Sequence, residues 1–86
     1  MKYDNNFFDE QDLIQALERG CDVEFLYKDK KYSITHFNNG KIIIGEFYNS
    51  DSVKIYDNAK QAMKYKIGDK TIKDIIVEMK IIDRSF

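Results

Sequence analysis

The residues of this 86-residue chain best suited to nucleophilic catalysis are its single cysteine, Cys21, and its single histidine, His36. Nucleophilic catalysis needs a nucleophile, a base and donors to an oxyanion at one place. Cys21 follows a predicted helix C-terminus, where the helix dipole disfavours a thiolate. His36 stands beside a predicted turn, where we expect a solvated or half-packed surface residue. The sequence therefore favours a protein that is not an enzyme.

The sequence contains no ligand spacing typical of a metal or phosphate site. One histidine and one cysteine cannot form a zinc site without carboxylates. Asp4, Asp9 and Asp12 lack the glycine and the terminal glutamate of a calcium loop. The four glycines are isolated and form no phosphate-binding motif. We therefore expect neither a metal nor a cofactor.

Acidic residues are concentrated in the first third of the chain. Residues 1–26 carry seven acidic and two basic side chains, whereas the whole chain has a net charge of −1. Such a distribution can create a polarised surface for a charged partner, or it can be the solvated outer face of a helix. The primary hypothesis is a non-enzymatic binding protein that occupies a surface on another protein. The predicted partner-binding residues are Asp9, Glu10, Asp12 and Glu18.

Lysines lie among tyrosines between residues 27 and 66, and basic residues beside aromatic ones can bind single-stranded nucleic acid. The acidic pI of about 5.8 and the scarcity of arginine disfavour that function. The nucleic-acid alternative rests on Lys28, Lys30 and Lys31. A third alternative is a tyrosine-lined pocket between sheet and helices that sequesters a small ligand, such as a nucleotide signal.

A first helix is predicted over about residues 10–19 to position the acidic set. Asp9 is a natural N-cap, and Gly20 stands where a helix ends in the left-handed conformation. Phe8 and Leu13 have the spacing of a hydrophobic staple.

Three strands of an antiparallel meander are predicted between Val23 and Tyr48, because apolar and polar residues alternate there. They are joined by turns at Asp29-Lys30 and at residues 38–40. The third strand, residues 41–48, is apolar on both faces and is therefore predicted to be central. A short fourth strand is predicted at residues 53–56.

Two further helices are predicted in the last third of the chain. The weaker one is capped by Asp57 or Asn58 and runs to about Tyr65. The other begins at Asp69 or Thr71, and the pattern allows either a helix or a strand over residues 78–83. We favour a helix to about residue 77 followed by a short strand. The residues with helical spacing are Ile72, Ile75, Ile76 and Met79.

Together these elements predict an α+β fold: an antiparallel meander of three to four strands, with two to three helices packed on one face. The prediction is a single domain over residues 1–86, with residues 1–6 disordered. A homodimer through an exposed edge strand is left open. No apolar run approaches the roughly 20 residues of a membrane span, and the N-terminal residues do not resemble a secretory signal. We therefore expect a cytoplasmic protein without a membrane partner.

Three stretches carry a resemblance to known proteins: Glu24-Phe25-Leu26-Tyr27-Lys28, Lys30-Lys31-Tyr32-Ser33-Ile34 and Ile67-Gly68-Asp69-Lys70-Thr71-Ile72-Lys73-Asp74-Ile75. With them the chain resembles small uncharacterised proteins of low-GC Gram-positive bacteria and of their phages and prophages. The resemblance implies no activity and no site residues. It favours a host protein as the partner, with this chain acting as a phage-encoded or prophage-encoded inhibitor or regulator, for example against host defence.

Overall fold

The computed structural model describes residue 7 and residues 9–85, the last three of these by their backbone. The predicted disorder of residues 1–6 and the predicted staple residue Phe8 lie outside this description. The elements, in chain order, are α1 (Glu10–Glu18), β1 (Asp22–Tyr27), β2 (Lys30–His36), β3 (Ile42–Glu46), a 3-10 turn (Ser50–Ser52), β4 (Lys54–Tyr56), α2 (Ala59–Ala62), β5 (Lys66–Ile67), β6 (Lys70–Thr71), α3 (Ile72–Ile75), a second 3-10 turn (Ile76–Glu78) and β7 (Lys80–Ser85). The α+β class and the antiparallel sheet are confirmed.

Five strands form the main sheet in the order β4-β3-β2-β1-β7, and every neighbouring pair is antiparallel. The prediction that β3 is central is wrong, because β7 returns to pair with β1 and makes β2 the middle strand. Ile43, on the outer face of β3, pairs with Ile55 of β4, and Ile55 is exposed. The apolar residues on both faces of β3 thus reflect an apolar patch on the outer face rather than burial at the sheet centre.

One face of the sheet forms the core with the helices. Alternate residues of β1 and β2, such as Phe25 and Ile34, are buried there. The helices supply the other half of the core, and the apolar positions that helical spacing identified are confirmed as buried. They are Leu13, Ile14, Ala16 and Leu17 in α1, Ala59 and Ala62 in α2 with Met63 after it, and Ile72, Ile75, Ile76 and Met79 in and after α3.

Capping residues set the helix boundaries. The Asp9 carboxylate accepts a hydrogen bond from the backbone N–H of Asp12 at 2.9 Å, and Gly20, after α1, has a φ of +87°. The Asn58 side chain caps α2 in the same way, but α2 ends at Ala62, earlier than predicted. The chain turns there because the backbone of Tyr65 pairs with that of Ile72 instead of continuing the helix.

The residues after α2 form a second, two-stranded sheet. Lys66 pairs with Thr71 and Ile67 pairs with Lys70, so β5 and β6 make a short hairpin. The last helix was predicted to begin at Asp69 or Thr71, but Gly68-Asp69 is the turn of this hairpin and α3 begins at Ile72. Within the described part of the chain, no helix has the length and apolar character needed to cross a membrane.

Candidate functional site: a cleft lined by tyrosines and lysines

A cleft of about 360 Å³ opens at one end of the core face of the sheet. Its walls are the turn between β1 and β2 on one side and the β5–β6 hairpin on the other. Its floor is formed by Tyr27, Tyr32 and Tyr65, with Glu46 and Ser52 beside them. Pockets for small molecules have volumes of roughly 300–1,000 Å³. The cleft is thus large enough for a small metabolite.

Strand register positions the floor. Tyr32 of β2 pairs with Phe25 of β1 on one side and with Glu46 of β3 on the other. The ring of Tyr32 stacks on that of Phe25, with centroids 5.2 Å apart. The hydroxyl of Tyr65 donates to the backbone carbonyl of Ser52 at 2.8 Å. These contacts hold the rings in place at the edge of the core.

Two of the three phenols are free to bind a ligand. Tyr27 and Tyr32 are only 5% and 4% exposed, and neither hydroxyl has a hydrogen-bond partner among the described residues. The described residues also include no buried side-chain nitrogen or oxygen without a partner. Because both hydroxyls are unpaired, they must reach solvent, and the cleft provides the opening.

Burial raises the pKa of two of the three phenols in the floor. It raises the pKa of Tyr32, and the nearby Glu46 carboxylate raises it further, with smaller effects from Tyr65 and Tyr27. Burial also raises the pKa of Tyr65, although the hydrogen bond to Ser52 lowers it in part. The Tyr32 hydroxyl therefore stays neutral and can donate to a ligand.

Four lysines surround the mouth of the cleft: Lys28, Lys30, Lys66 and Lys70. Two acidic residues, Glu46 and Asp69, also line it. None of the four lysines has an ion pair with an acid of the described residues. Their charges are therefore available to an anion in the cleft.

Tight turns hold these lysines on opposite walls. Lys28 and Asp29 have φ values of 51° and 67°, the pattern of a two-residue type I′ hairpin turn, and this turn lies one residue earlier than predicted. On the opposite wall Gly68 has a φ of 68°, which lets the β5–β6 hairpin reverse within two residues.

The structure separates the three lysines of the nucleic-acid alternative. Lys28 and Lys30 line the cleft, but Lys31 points to the outer face of the sheet because side chains alternate along β2. Lys31 Nζ lies 3.9 Å from a carboxylate oxygen of Glu24 and 4.5 Å from the ring centroid of Phe47. The three lysines therefore do not form one continuous surface.

The predicted acidic set is spread around α1. Asp9 is exposed but is engaged as the N-cap, Glu10 and Asp12 are half-buried, and Glu18 is exposed. Helical geometry places Glu10 and Asp12 roughly 160° apart around the axis. The four carboxylates therefore do not share one face of the helix.

His36 and Cys21 have structural surroundings. Cys21 is buried. His36 is half-buried; its Nδ1 lies 2.9 Å from the Asp22 carboxylate and its Nε2 lies 2.9 Å from the carbonyl oxygen of Leu17. The Nε2 contact fastens the end of α1 to β2, and the Nδ1 contact joins β2 to the start of β1. The described residues include no group of three or more His, Cys, Asp or Glu side chains that could hold a metal ion.

Sequence reasoning named Lys28 and Lys30 but missed the opposite wall of the cleft. The missed residues of that wall are Lys66 and Lys70, and two residues at the floor, Glu46 and Tyr65, were not named as site residues either. A signal was present, because a Gly-Asp pair between two short extended segments is typical of a hairpin with a two-residue turn. That pattern in residues 66–71 predicts the hairpin but not its position against the sheet.

Comparison of the chain with protein-family models, with curated proteins and with solved structures finds no match. The functional inferences below therefore rest on the geometry of the cleft and on the sequence.

Proposed function

We propose that this protein is a non-enzymatic binding protein that holds a small anionic molecule in the cleft. The observation that carries the proposal is the set of four lysines around a floor with two phenol hydroxyls, none of which has an ion pair or hydrogen bond with another described residue. The proposal develops the ligand-sequestering alternative of the sequence analysis and gives it a location.

Electrostatics favours an anion over a neutral ligand. Lys28 and Lys30 stand on one wall and Lys66 and Lys70 on the other, so an anion between them gains attraction from both sides. The hydroxyls of Tyr27 and Tyr32 can donate to its oxygen atoms from below. Lysine ammonium groups and phenols are suited to phosphate or carboxylate ligands.

Binding rather than catalysis is favoured by the chemistry of the lining. The cleft has neither the histidine nor the cysteine of the chain, since His36 and Cys21 lie elsewhere in the fold. The raised pKa of Tyr32 makes its phenol a poor source of a tyrosinate base. The lining therefore supplies donors and charges, without an activated nucleophile.

Inorganic pyrophosphate is a suitable first probe, measured by isothermal titration calorimetry and by its effect on the melting temperature. At a fixed concentration, a bound anion should raise the melting temperature by an amount that grows with the logarithm of its affinity. Replacing Lys28 or Lys70 with Gln should weaken pyrophosphate binding roughly 1.4- to fivefold for each lysine, since an exposed ion pair contributes about 0.2–1 kcal/mol.

Lys60→Gln is the matched control, because Lys60 is an exposed lysine of α2 outside the cleft. It should leave pyrophosphate affinity unchanged. Absence of binding by pyrophosphate and by other small anions at millimolar concentration would refute the proposal. An equal loss in Lys60→Gln would show that binding is non-specific.

The acidic-surface hypothesis, in which the chain inhibits or regulates a host protein, stays a prediction. Its set is Asp9, Glu10, Asp12 and Glu18, but reversing the charge of Asp9 would also remove the cap of α1. Glu18 is the exposed member without that role, so Glu18→Lys separates loss of a partner from loss of the fold.

A further inference from the structure

We propose that the ligand of the cleft is a nucleotide whose base carries an exocyclic amino group, and that Glu46 recognises this base. The inference rests on the proposed function and adds the class of the ligand and the residue that selects it. It starts from an acidic side chain that stands in a cleft surrounded by lysines.

Glu46 is not neutralised by those lysines. No lysine Nζ lies within 4.0 Å of its carboxylate among the described residues, although four lysines line the same cleft. One carboxylate oxygen accepts a hydrogen bond of 3.3 Å from the side-chain amide of Asn49. The other oxygen has no partner among the described side chains. A half-buried carboxylate in this state can accept hydrogen bonds from a ligand.

The carboxylate faces the floor of the cleft. Glu46 pairs with Tyr32 across the strands, and its charge acts on the phenols of both Tyr32 and Tyr65. The backbone N–H of Glu46 donates to the Ser52 hydroxyl at 2.8 Å, which fixes this end of β3. Glu46 is half-buried whereas the four lysines are exposed, so the acceptor lies deeper in the cleft than they do, on a strand of the main sheet.

The cleft thus has two ends with opposite requirements. The mouth, with Lys28, Lys30, Lys66 and Lys70, attracts negative charge. The inner end, with Glu46, repels it and needs a hydrogen-bond donor. A simple anion satisfies the mouth alone, whereas a molecule with an anionic group at one end and N–H donors at the other satisfies both.

An amino-bearing nucleotide has this polarity. Its phosphate is separated from the amino group by the ribose and the base, and carboxylates accept hydrogen bonds from such amino groups, as they do from N4 of cytosine. Uracil instead presents carbonyl oxygens on both sides of its one ring N–H, and these would face the carboxylate unfavourably. A site that hydrogen-bonds a ligand amino group rejects analogues that lack it, because its own polar group is then left unpaired.

The test compares cytidine, adenosine and guanosine monophosphates with uridine monophosphate, ribose 5-phosphate and phosphoethanolamine by isothermal titration calorimetry. At least one of the three amino-bearing nucleotides should bind about tenfold more tightly than uridine monophosphate, ribose 5-phosphate and phosphoethanolamine. Glu46→Gln should weaken the binding of this nucleotide by about the same tenfold factor. It should leave the affinity for ribose 5-phosphate equal to that of the wild type or higher, because a repelling charge is lost.

Asp69→Asn is the matched control, since Asp69 is the other acid of the cleft and lies on the exposed hairpin turn. It should change all six affinities by a similar factor. Circular dichroism and the melting temperature establish that each variant folds. The side chain of Glu46 accepts only one described hydrogen bond, from the exposed Asn49, so the Gln variant should fold normally.

Three results would overturn this inference while leaving the proposed function intact. They are equal affinity for ribose 5-phosphate and all nucleotides, affinity for phosphoethanolamine equal to that of the best nucleotide, and tighter binding of every ligand to Glu46→Gln. Failure of all six compounds and of pyrophosphate to bind would instead refute the proposed function itself.

Discussion

Gly45, in β3, is the position at which one added methyl group tests the packing of this sheet most directly. A Cβ at Gly45 would lie 2.8 Å from Cγ2 of Val53 and 3.3 Å from its Cα. The first separation is well below van der Waals contact, and the second involves the backbone of the neighbouring segment. Gly45→Ala therefore forces the segment around Val53 to move away from the sheet.

The expected cost follows from two opposing effects. Overpacking of this kind costs about 1–3 kcal/mol, and the β-branched side chain of Val53 has few rotamers with which to avoid it. Val53 is 42% exposed, so it can move outward in part. Replacing a glycine within a strand also recovers about 0.5–1 kcal/mol of backbone entropy. We expect a net loss of about 1–2 kcal/mol in the free energy of unfolding.

Urea unfolding of four proteins measures this effect: the wild type, Gly45→Ala, Val53→Ala and the double variant. For a chain of this length, each kcal/mol also lowers the melting temperature by roughly 4–8 °C. Val53→Ala alone should cost less than about 1 kcal/mol, because its side chain is already partly in water. In the double variant the Cγ2 contact is gone and the 3.3 Å contact remains, so about half of the loss or more should be recovered.

Two outcomes would refute this reasoning. Gly45→Ala could be as stable as the wild type, which would mean that the segment around Val53 is not held against the sheet. The two substitutions could also be additive, which would place the cost of Gly45→Ala somewhere other than the contact with Val53.

Two further predictions concern hydrogen bonds. Tyr65→Phe removes the 2.8 Å bond to the Ser52 carbonyl and should lower the free energy of unfolding by about 0.5–1.5 kcal/mol. Tyr27→Phe removes no described hydrogen bond and should change the free energy of unfolding little. Equal losses for the two variants in urea unfolding would contradict this prediction. The Asp74 carboxylate accepts from the backbone N–H and the hydroxyl of Thr71, both at 3.0 Å, and these bonds lower the pKa of Asp74 below its ordinary value of 3.8. Because the pKa is lower in the folded state, the stabilisation is complete above pH 3.8 and is lost as the pH falls through the folded pKa. The stability deficit of Asp74→Asn in urea should therefore be present at neutral pH and shrink in acid, and a deficit independent of pH would contradict the assignment.

Local periodicity predicted most of the core of this fold. The spacing of Leu13 and Leu17 in α1, and of Ile72 and Ile75 in α3, identifies residues that are buried in the structure. These predictions succeed because each depends only on residues within one or two turns of helix. The strand order could not be obtained in this way, since the pairing of β7 with β1 joins residues more than 50 positions apart.

The candidate site was predictable only in part, for the same physical reason. Lys28 and Lys30 belong to a hairpin that the local pattern predicts, so that wall of the cleft could be named. Lys66 and Lys70 reach the cleft because the β5–β6 hairpin lies beside the main sheet, and no local sequence pattern encodes that position. The position of Glu46 inside the cleft depends on the register of β3 against β2, which is also a long-range property.

The position of the cleft follows from how such a short chain closes its core. The helices α2 and α3 have four residues each, so one end of the core face is closed by tyrosines instead. The ring of a tyrosine can be buried, but its hydroxyl needs water or a partner. Tyr27 and Tyr32 satisfy both requirements, because their rings are buried and their hydroxyls, which have no partner among the described residues, reach the cleft. The same side chains therefore complete the core and form the floor of the candidate site. Replacing one of these hydroxyls with hydrogen should separate the two roles, because the ring stays and only the donor to the ligand is lost.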